Sequence, residues 1–131
     1  MENSEFLSLL AGKLDGEQYL WVCSYAGDPN SPAAAWDGRA YHGKPAQAQT
    51  IDRCRDQNTY VSTAVLSGLD DQARFRRSKL TFLRLAVLVA DDCNPDDLVG
   101  RVSYVIETSP GKRQIGVWLD ADDPDCVNGA L

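Results

Sequence analysis

The fold is decided by Leu85-Ala86-Val87-Leu88-Val89-Ala90-Asp91-Asp92 and its continuation through Cys93-Asn94-Pro95-Asp96-Asp97, Arg101-Val102-Ser103-Tyr104-Val105-Ile106-Glu107, Thr108-Ser109-Pro110-Gly111-Lys112 and Arg113-Gln114-Ile115-Gly116-Val117-Trp118-Leu119. The first run is apolar, β-branched and only six residues long before the acids, which suits a buried strand rather than a helix. The next two runs are joined by Pro-Gly, which fits the centre of a type II turn, so they read as a hairpin. Asp91 and Asp92 end the first strand. Paired carboxylates can hold Mg²⁺ or Mn²⁺, which favour oxygen ligands. Equally, acids beginning a loop, with Asn94-Pro95 behind them, are explained by turn chemistry alone. Adjacent strand residues point to opposite faces, so the two share an ion only where the strand end is distorted.

The hairpin tip carries a second feature. Thr108, Ser109, Lys112, Arg113 and Gln114 gather hydroxyls, two cations and an amide around a tight turn. With the turn N–H groups these form a candidate triphosphate cradle. The Gly-x-x-x-x-Gly-Lys-Ser/Thr spacing of a P-loop is missing.

Working back toward the N-terminus, Gln72 to Lys79 reads as a basic, helical connector into the apolar strand. Its cations Arg74, Arg76, Arg77 and Lys79 are either solvated surface or a strip contacting phosphates, with Phe75 available for base stacking. Asn58–Leu66 alternates as a strand and Tyr19–Tyr25 is an aromatic and β-branched one. Residues 3–14 suit an amphipathic helix with Phe6, Leu9, Leu10 and Leu14 on one face, Asn3 or Ser4 as N-cap and Gly16 as stop. Residues 26–58 give the weakest pattern. Within them we expect a helical turn at Pro32–Trp36, a turn at Asp37-Gly38-Arg39, helical character from Ala46 to Arg55, and Trp36 and Tyr41 in a satellite core. The tail from Asp123 reads as the start of a helix. His42 has no Cys or Ser partner at a recognisable spacing and reads as a loop residue.

Composition bounds the rest. The chain has 131 residues, 44% of them hydrophobic and 24% charged, and supports one domain of α+β class, a mixed or antiparallel sheet with flanking helices. No run approaches the roughly 18–20 apolar residues that span a bilayer, and Met1-Glu2-Asn3-Ser4-Glu5 is unlike a signal peptide. A cytoplasmic protein without a membrane partner is the expectation. Cys23, Cys54, Cys93 and Cys126 are widely spaced, unlike zinc ligand pairs, and read as reduced thiols. A net charge of −6 argues against nucleic-acid binding through bulk charge but leaves room for a local basic site.

Val87-Leu88-Val89-Ala90-Asp91-Asp92 followed by Val105-Ile106-Glu107-Thr108-Ser109-Pro110-Gly111-Lys112-Arg113-Gln114 resembles the RepB-type branch of the archaeo-eukaryotic primase (primase-polymerase) superfamily of phage and plasmid replication proteins. Asn58-Thr59-Tyr60-Val61-Ser62 and the basic run upstream of the acids match the same layout, so the resemblance spans much of residues 20–119. It implies that Asp91 and Asp92 are catalytic metal ligands for Mg²⁺ or Mn²⁺, and that Ser109, Lys112 and Gln114 meet the phosphates of a nucleoside triphosphate. It implies template-directed nucleotidyl transfer on single-stranded DNA, with Arg74, Arg76, Arg77 and Lys79 on the nucleic acid and a helicase domain or protein as a further partner. Members carry a third carboxylate motif downstream of the hairpin. The sequence is therefore expected to be the N-terminal part of a longer catalytic domain.

Overall fold

The computed structural model describes residues 1–28, 30–31, 38–97 and 100–119. Two helices and two antiparallel sheets make it an α+β protein, as the sequence predicts. The chain forms two compact units, Met1–Leu83 and a second from Arg84 onward.

In the first unit, α1 (Asn3–Ala11) precedes β1 (Tyr19–Tyr25), β2 (Arg39–Tyr41), α2 (Pro45–Asp52), β3 (Asn58–Leu66) and β4 (Phe82–Leu85). The sheet order is β2-β1-β3-β4, and the unit boundary falls within β4. β1 is central and buried on both faces. One face, Leu20 and Val22 with Val65 and Tyr41 opposite them, is fully buried. Trp21, Cys23 and Leu66 form a second cluster, joined by Tyr60, Ala64 and Phe75. Between Leu20 and Val22 the pairing with β3 slips, and the Ser62 hydroxyl fills the gap. It accepts the Trp21 N–H at 3.0 Å and donates to the Ala64 carbonyl at 2.8 Å.

The α1 helix differs from expectation. Its buried residues are Ser4, Leu7, Leu10 and Ala11, whereas Leu9 is 68% exposed. It begins after Glu2, whose N–H donates to the Glu5 carboxylate, and it ends at Gly12, before Gly16. Polar anchoring chose the face. The Asp52 carboxylate, at the end of α2, accepts the Ser4 N–H at 3.2 Å and its hydroxyl at 2.6 Å, satisfying an N-terminal donor of α1. The fully buried Tyr41 donates its hydroxyl to the Ser4 carbonyl at 2.9 Å and lies 2.9 Å from the Ser8 hydroxyl. Hydrophobic periodicity cannot see these contacts.

Residues 72–79 are not helical. Asp70 accepts the N–H groups of Gln72 and Arg74 at 2.9 and 2.8 Å, Ala73 takes a left-handed φ of 57°, and the chain closes on itself as a turn. Buried Thr81 pins the far end, donating its hydroxyl to the Arg76 carbonyl at 2.7 Å. Arg39, expected in a turn, instead opens the three-residue edge strand β2, too short for periodicity to register. The expected helices at 32–36 and from 123 onward, with Trp36 and Cys126, lie outside the described residues. Cys54 and Cys93 are free thiols, and Cys23 is buried. No helix among the described residues is long and apolar enough to cross a membrane.

The apolar stretch of the second unit is interrupted at buried Ala86, whose carbonyl accepts the Leu119 N–H at 2.9 Å. The strand proper, β5, is Val87–Asp91. The hairpin is β6 (Tyr104–Ser109) and β7 (Lys112–Trp118), and β7 is the middle strand in the order β5-β7-β6. Among the described residues of this unit, Ala86, Val87, Ile115 and Leu119 are the buried apolar ones.

Candidate metal and nucleotide site

Strand register assembles the site. Asp91 is paired with Gln114 across β5 and β7, Gln114 with Ile106 across β7 and β6, and Lys112 with Ser109 at the hairpin end. Paired residues of an antiparallel sheet share a face, and residues two apart on a strand return to it. Asp91, Gln114, Lys112 and Ser109 therefore stand on one face, in two adjacent rows. The other face carries Leu88, Ala90, Val105, Ile115 and Val117, with Glu107 and Arg113 at its hairpin end. Of the residues expected to meet metal or phosphates (Asp91, Asp92, Ser109, Lys112 and Gln114), four share a single surface; Arg113, the second cation expected at the same tip, is instead opposite Glu107 on the other face, where alternation along β7 puts it.

The fifth, Asp92, follows the strand and has a left-handed φ of 53°. Strand alternation stops there, which is the distorted strand end that two adjacent acids need before they can serve one ion. Asp91, Asp92, Ser109 and Lys112 are exposed and Gln114 is half-buried. Among the described residues no group of three His, Cys, Asp or Glu is close enough to hold a metal ion. Two carboxylates suit Mg²⁺ or Mn²⁺ held jointly with phosphate oxygens and water, the usual arrangement for Mg²⁺ in nucleotide sites, rather than a closed cage.

The turn is as the Pro-Gly pair predicts. Gly111, with φ 76°, takes the third position of a type II turn, which a side chain would strain. One N–H of the turn is committed, because Gly111 donates to the Glu107 carboxylate at 3.0 Å. A cradle at this tip would therefore draw on the Lys112, Ser109 and Gln114 side chains more than on turn amides. A bulge between Glu107 and Ser109 sets Ser109, rather than Thr108, opposite Lys112; the Thr108 hydroxyl donates to the Lys112 carbonyl at 3.4 Å.

Tyr104 is a member of this surface that sequence reasoning missed. It pairs with Gly116, one row in from Gln114, and its ring edge covers that glycine: a Cβ on Gly116 would fall 2.0 Å from Cζ and 2.1 Å from Cε1. Burial holds its phenol above the ordinary 10.0. The available signal was the two-residue step from Ile106, together with an aromatic facing a strand glycine.

The basic run belongs to the first unit, where its four cations divide. Arg74 pairs with Asp70, Nε to Oδ2 at 3.4 Å, and the Arg77 guanidinium lies 4.4 Å from the centre of the Trp21 ring. Arg76 and Lys79 are exposed and their side chains make no ion pair among the described residues. Phe75 is part of the packing, 6.1 Å from the Tyr19 ring and edge-on to it, while His42 meets Tyr19 at 5.0 Å. The Arg74 N–H donated to Asp70 is the largest cause holding that carboxyl below its ordinary value; the Gln72 N–H and the Arg74 and Arg76 charges add to it, against a desolvation cost.

Comparison with known proteins finds no matching family model, no matching curated protein and no matching solved structure.

Proposed function

We propose that this chain binds a nucleoside triphosphate together with Mg²⁺ or Mn²⁺, as a nucleotidyl-transfer domain of primase-polymerase type in a phage or plasmid replication protein. The observation that carries the reading is the register that sets Asp91 beside Gln114 and both on the face of Lys112 and Ser109. The order of these residues along the chain, with its resemblance to the RepB-type primases, supports it further. Asp91 and Asp92 would hold the metal. Lys112 places a cation, and Ser109 and Gln114 place neutral donors, where phosphate oxygens would lie. A metal in such a site supplies charge neutralisation and in-line orientation for attack of a 3′-hydroxyl with loss of pyrophosphate. Arg76 and Lys79, exposed and without an ion pair among the described residues, would be the cations free to meet the phosphates of a single-stranded template.

Thermal denaturation with Mn²⁺ and ATP tests the reading. At a ligand concentration near 100 times Kd, linkage contributes about 2.7 kcal/mol, roughly 5–10 °C in Tm for a chain of this size. Asp91→Asn should abolish the shift, and Mn²⁺ alone should give little of it. A wild-type chain whose Tm ignores Mn²⁺ and ATP together would rule the site out. A second reading, metal-free nucleic-acid binding by a non-catalytic domain, is favoured by the exposed Arg76 and Lys79. It requires oligonucleotide binding that survives both chelation and Asp91→Asn.

A further inference from the structure

The polar face of the second sheet is graded along its strands. Lys112 and Ser109 form the row at the hairpin, Asp91, Gln114 and Ile106 the next, and Val89, Gly116 and Tyr104 the third. Successive rows on one face are about 7 Å apart, since a strand rises roughly 3.3–3.4 Å per residue. Charged groups occupy the first two rows and give way to apolar ones in the third. The first row is cationic and hydroxylic, the second pairs an acid and an amide with an aliphatic side chain, and the third is aromatic and apolar. An extended nucleoside triphosphate offers complementary groups in the same order, anionic phosphates for Lys112 and for a metal at Asp91 and then a flat base for the aromatic row, over a length of that order.

We propose that the base packs against Tyr104 above Gly116, with the triphosphate running toward Lys112 and Ser109. The inference rests on the nucleotide reading above and adds to it a direction and a base-contacting residue. Gly116 is what lets the ring lie close to the sheet, because any side chain there would occupy the space of Cζ. A ring of this kind stacks with every base, so purines and pyrimidines are both accepted, with template pairing left to choose among them.

Titration calorimetry with Mn²⁺ and two probes, ATP and inorganic tripolyphosphate, tests the proposal. Stacking is worth about 1–3 kcal/mol per base, so Tyr104→Ala should weaken ATP about fivefold or more while leaving tripolyphosphate unchanged. Tyr104→Phe should retain ATP affinity. Tyr104→Leu, which keeps apolar bulk on the sheet and guards against misfolding of the alanine variant, should lose as much as Tyr104→Ala. ATP affinity unaltered in both the Ala and Leu variants would overturn the base contact and leave the phosphate site standing. Equal weakening of both probes would overturn the direction. Binding of neither probe by the wild-type chain would overturn the nucleotide reading and this inference with it.

Discussion

Gly116→Ala offers a perturbation whose sign is diagnostic. In a strand, alanine ordinarily replaces glycine with a gain of about 0.5–1 kcal/mol, because it reduces the freedom of the unfolded chain. Gly116 shows no positive φ that would forbid it. Here, however, the new Cβ would sit 2.0 Å from Cζ and 2.5 Å from the hydroxyl of Tyr104, so the ring must move. An aromatic side chain buries roughly 150–250 Å², worth about 25 cal/mol per Å². A partly buried ring driven wholly into solvent would therefore lose about 3 kcal/mol, and one that only tilts aside would lose about half of that. Net of the backbone gain, Gly116→Ala should cost about 1–2 kcal/mol. In a Tyr104→Ala background the obstruction is gone and the same change should stabilise by about 0.5 kcal/mol. Urea denaturation followed by circular dichroism, on all four proteins of the cycle, should measure a coupling of about 2 kcal/mol. Gly116→Ala as stable as wild type, or a penalty that persists without the Tyr104 ring, would refute the close approach.

Other outcomes depend on particular bonds. Asp52→Ala removes the carboxylate that holds the Ser4 N–H and hydroxyl, and should cost about 1–2 kcal/mol in chemical denaturation, the range for losing a helix cap. The Asp70 carboxyl is held below its ordinary 3.8 in the folded chain, so its contribution to stability is present above that value and is lost as pH falls through the lower folded one. Stability measured from about pH 5 to about pH 2 should fall less in Asp70→Asn than in wild type. If the nucleic-acid reading holds, binding of an oligo-dT strand should weaken with salt at a slope near about −0.7 per neutralised phosphate. Arg76→Ala and Lys79→Ala should each flatten that slope by about 0.7, with Arg74→Ala changing it little.

The sequence makes some of this legible and hides the rest for identifiable reasons. β1 and β3 are readable to the residue, since Tyr19–Tyr25 and Asn58–Leu66 carry strand composition between clear breaks. The hairpin is readable from Pro110-Gly111, whose φ requirement is local. The connector at 72–79 is not, because its conformation is set by Asp70 and Thr81, which lie outside the run and act through hydrogen bonds rather than hydrophobic spacing. The α1 face is hidden for the same reason. Ser4 is buried by Asp52 and Tyr41, residues 48 and 37 positions away. Composition identifies the four cations of the basic run but not that Arg74 and Arg77 have partners within the unit.

For the site, alternation along each strand is legible, but alternation alone does not say which residues of different strands share a face. That depends on register, and register turns on a single irregularity. From Glu107 opposite Arg113, a regular ladder would bring Thr108 opposite Lys112 and Ser109 opposite Gly111. The bulge inserts one residue, so Ser109 meets Lys112 and the two-residue Pro110-Gly111 turn closes the hairpin. A slip of one residue in the pairing of β5 with β7 would have a larger effect, carrying Asp91 from Gln114 to Arg113 or Ile115 and away from the polar face. Buried Ile115 opposes such a slip. It lies between Ala90 and Val105 on the opposite face, and at 1% exposure it is the most buried large side chain among the described residues of the second unit. The residue that fixes the register is thus adjacent in sequence to Gln114, whose position depends on it. Exposed polar groups at the strand ends inherit their alignment from an apolar contact one position away.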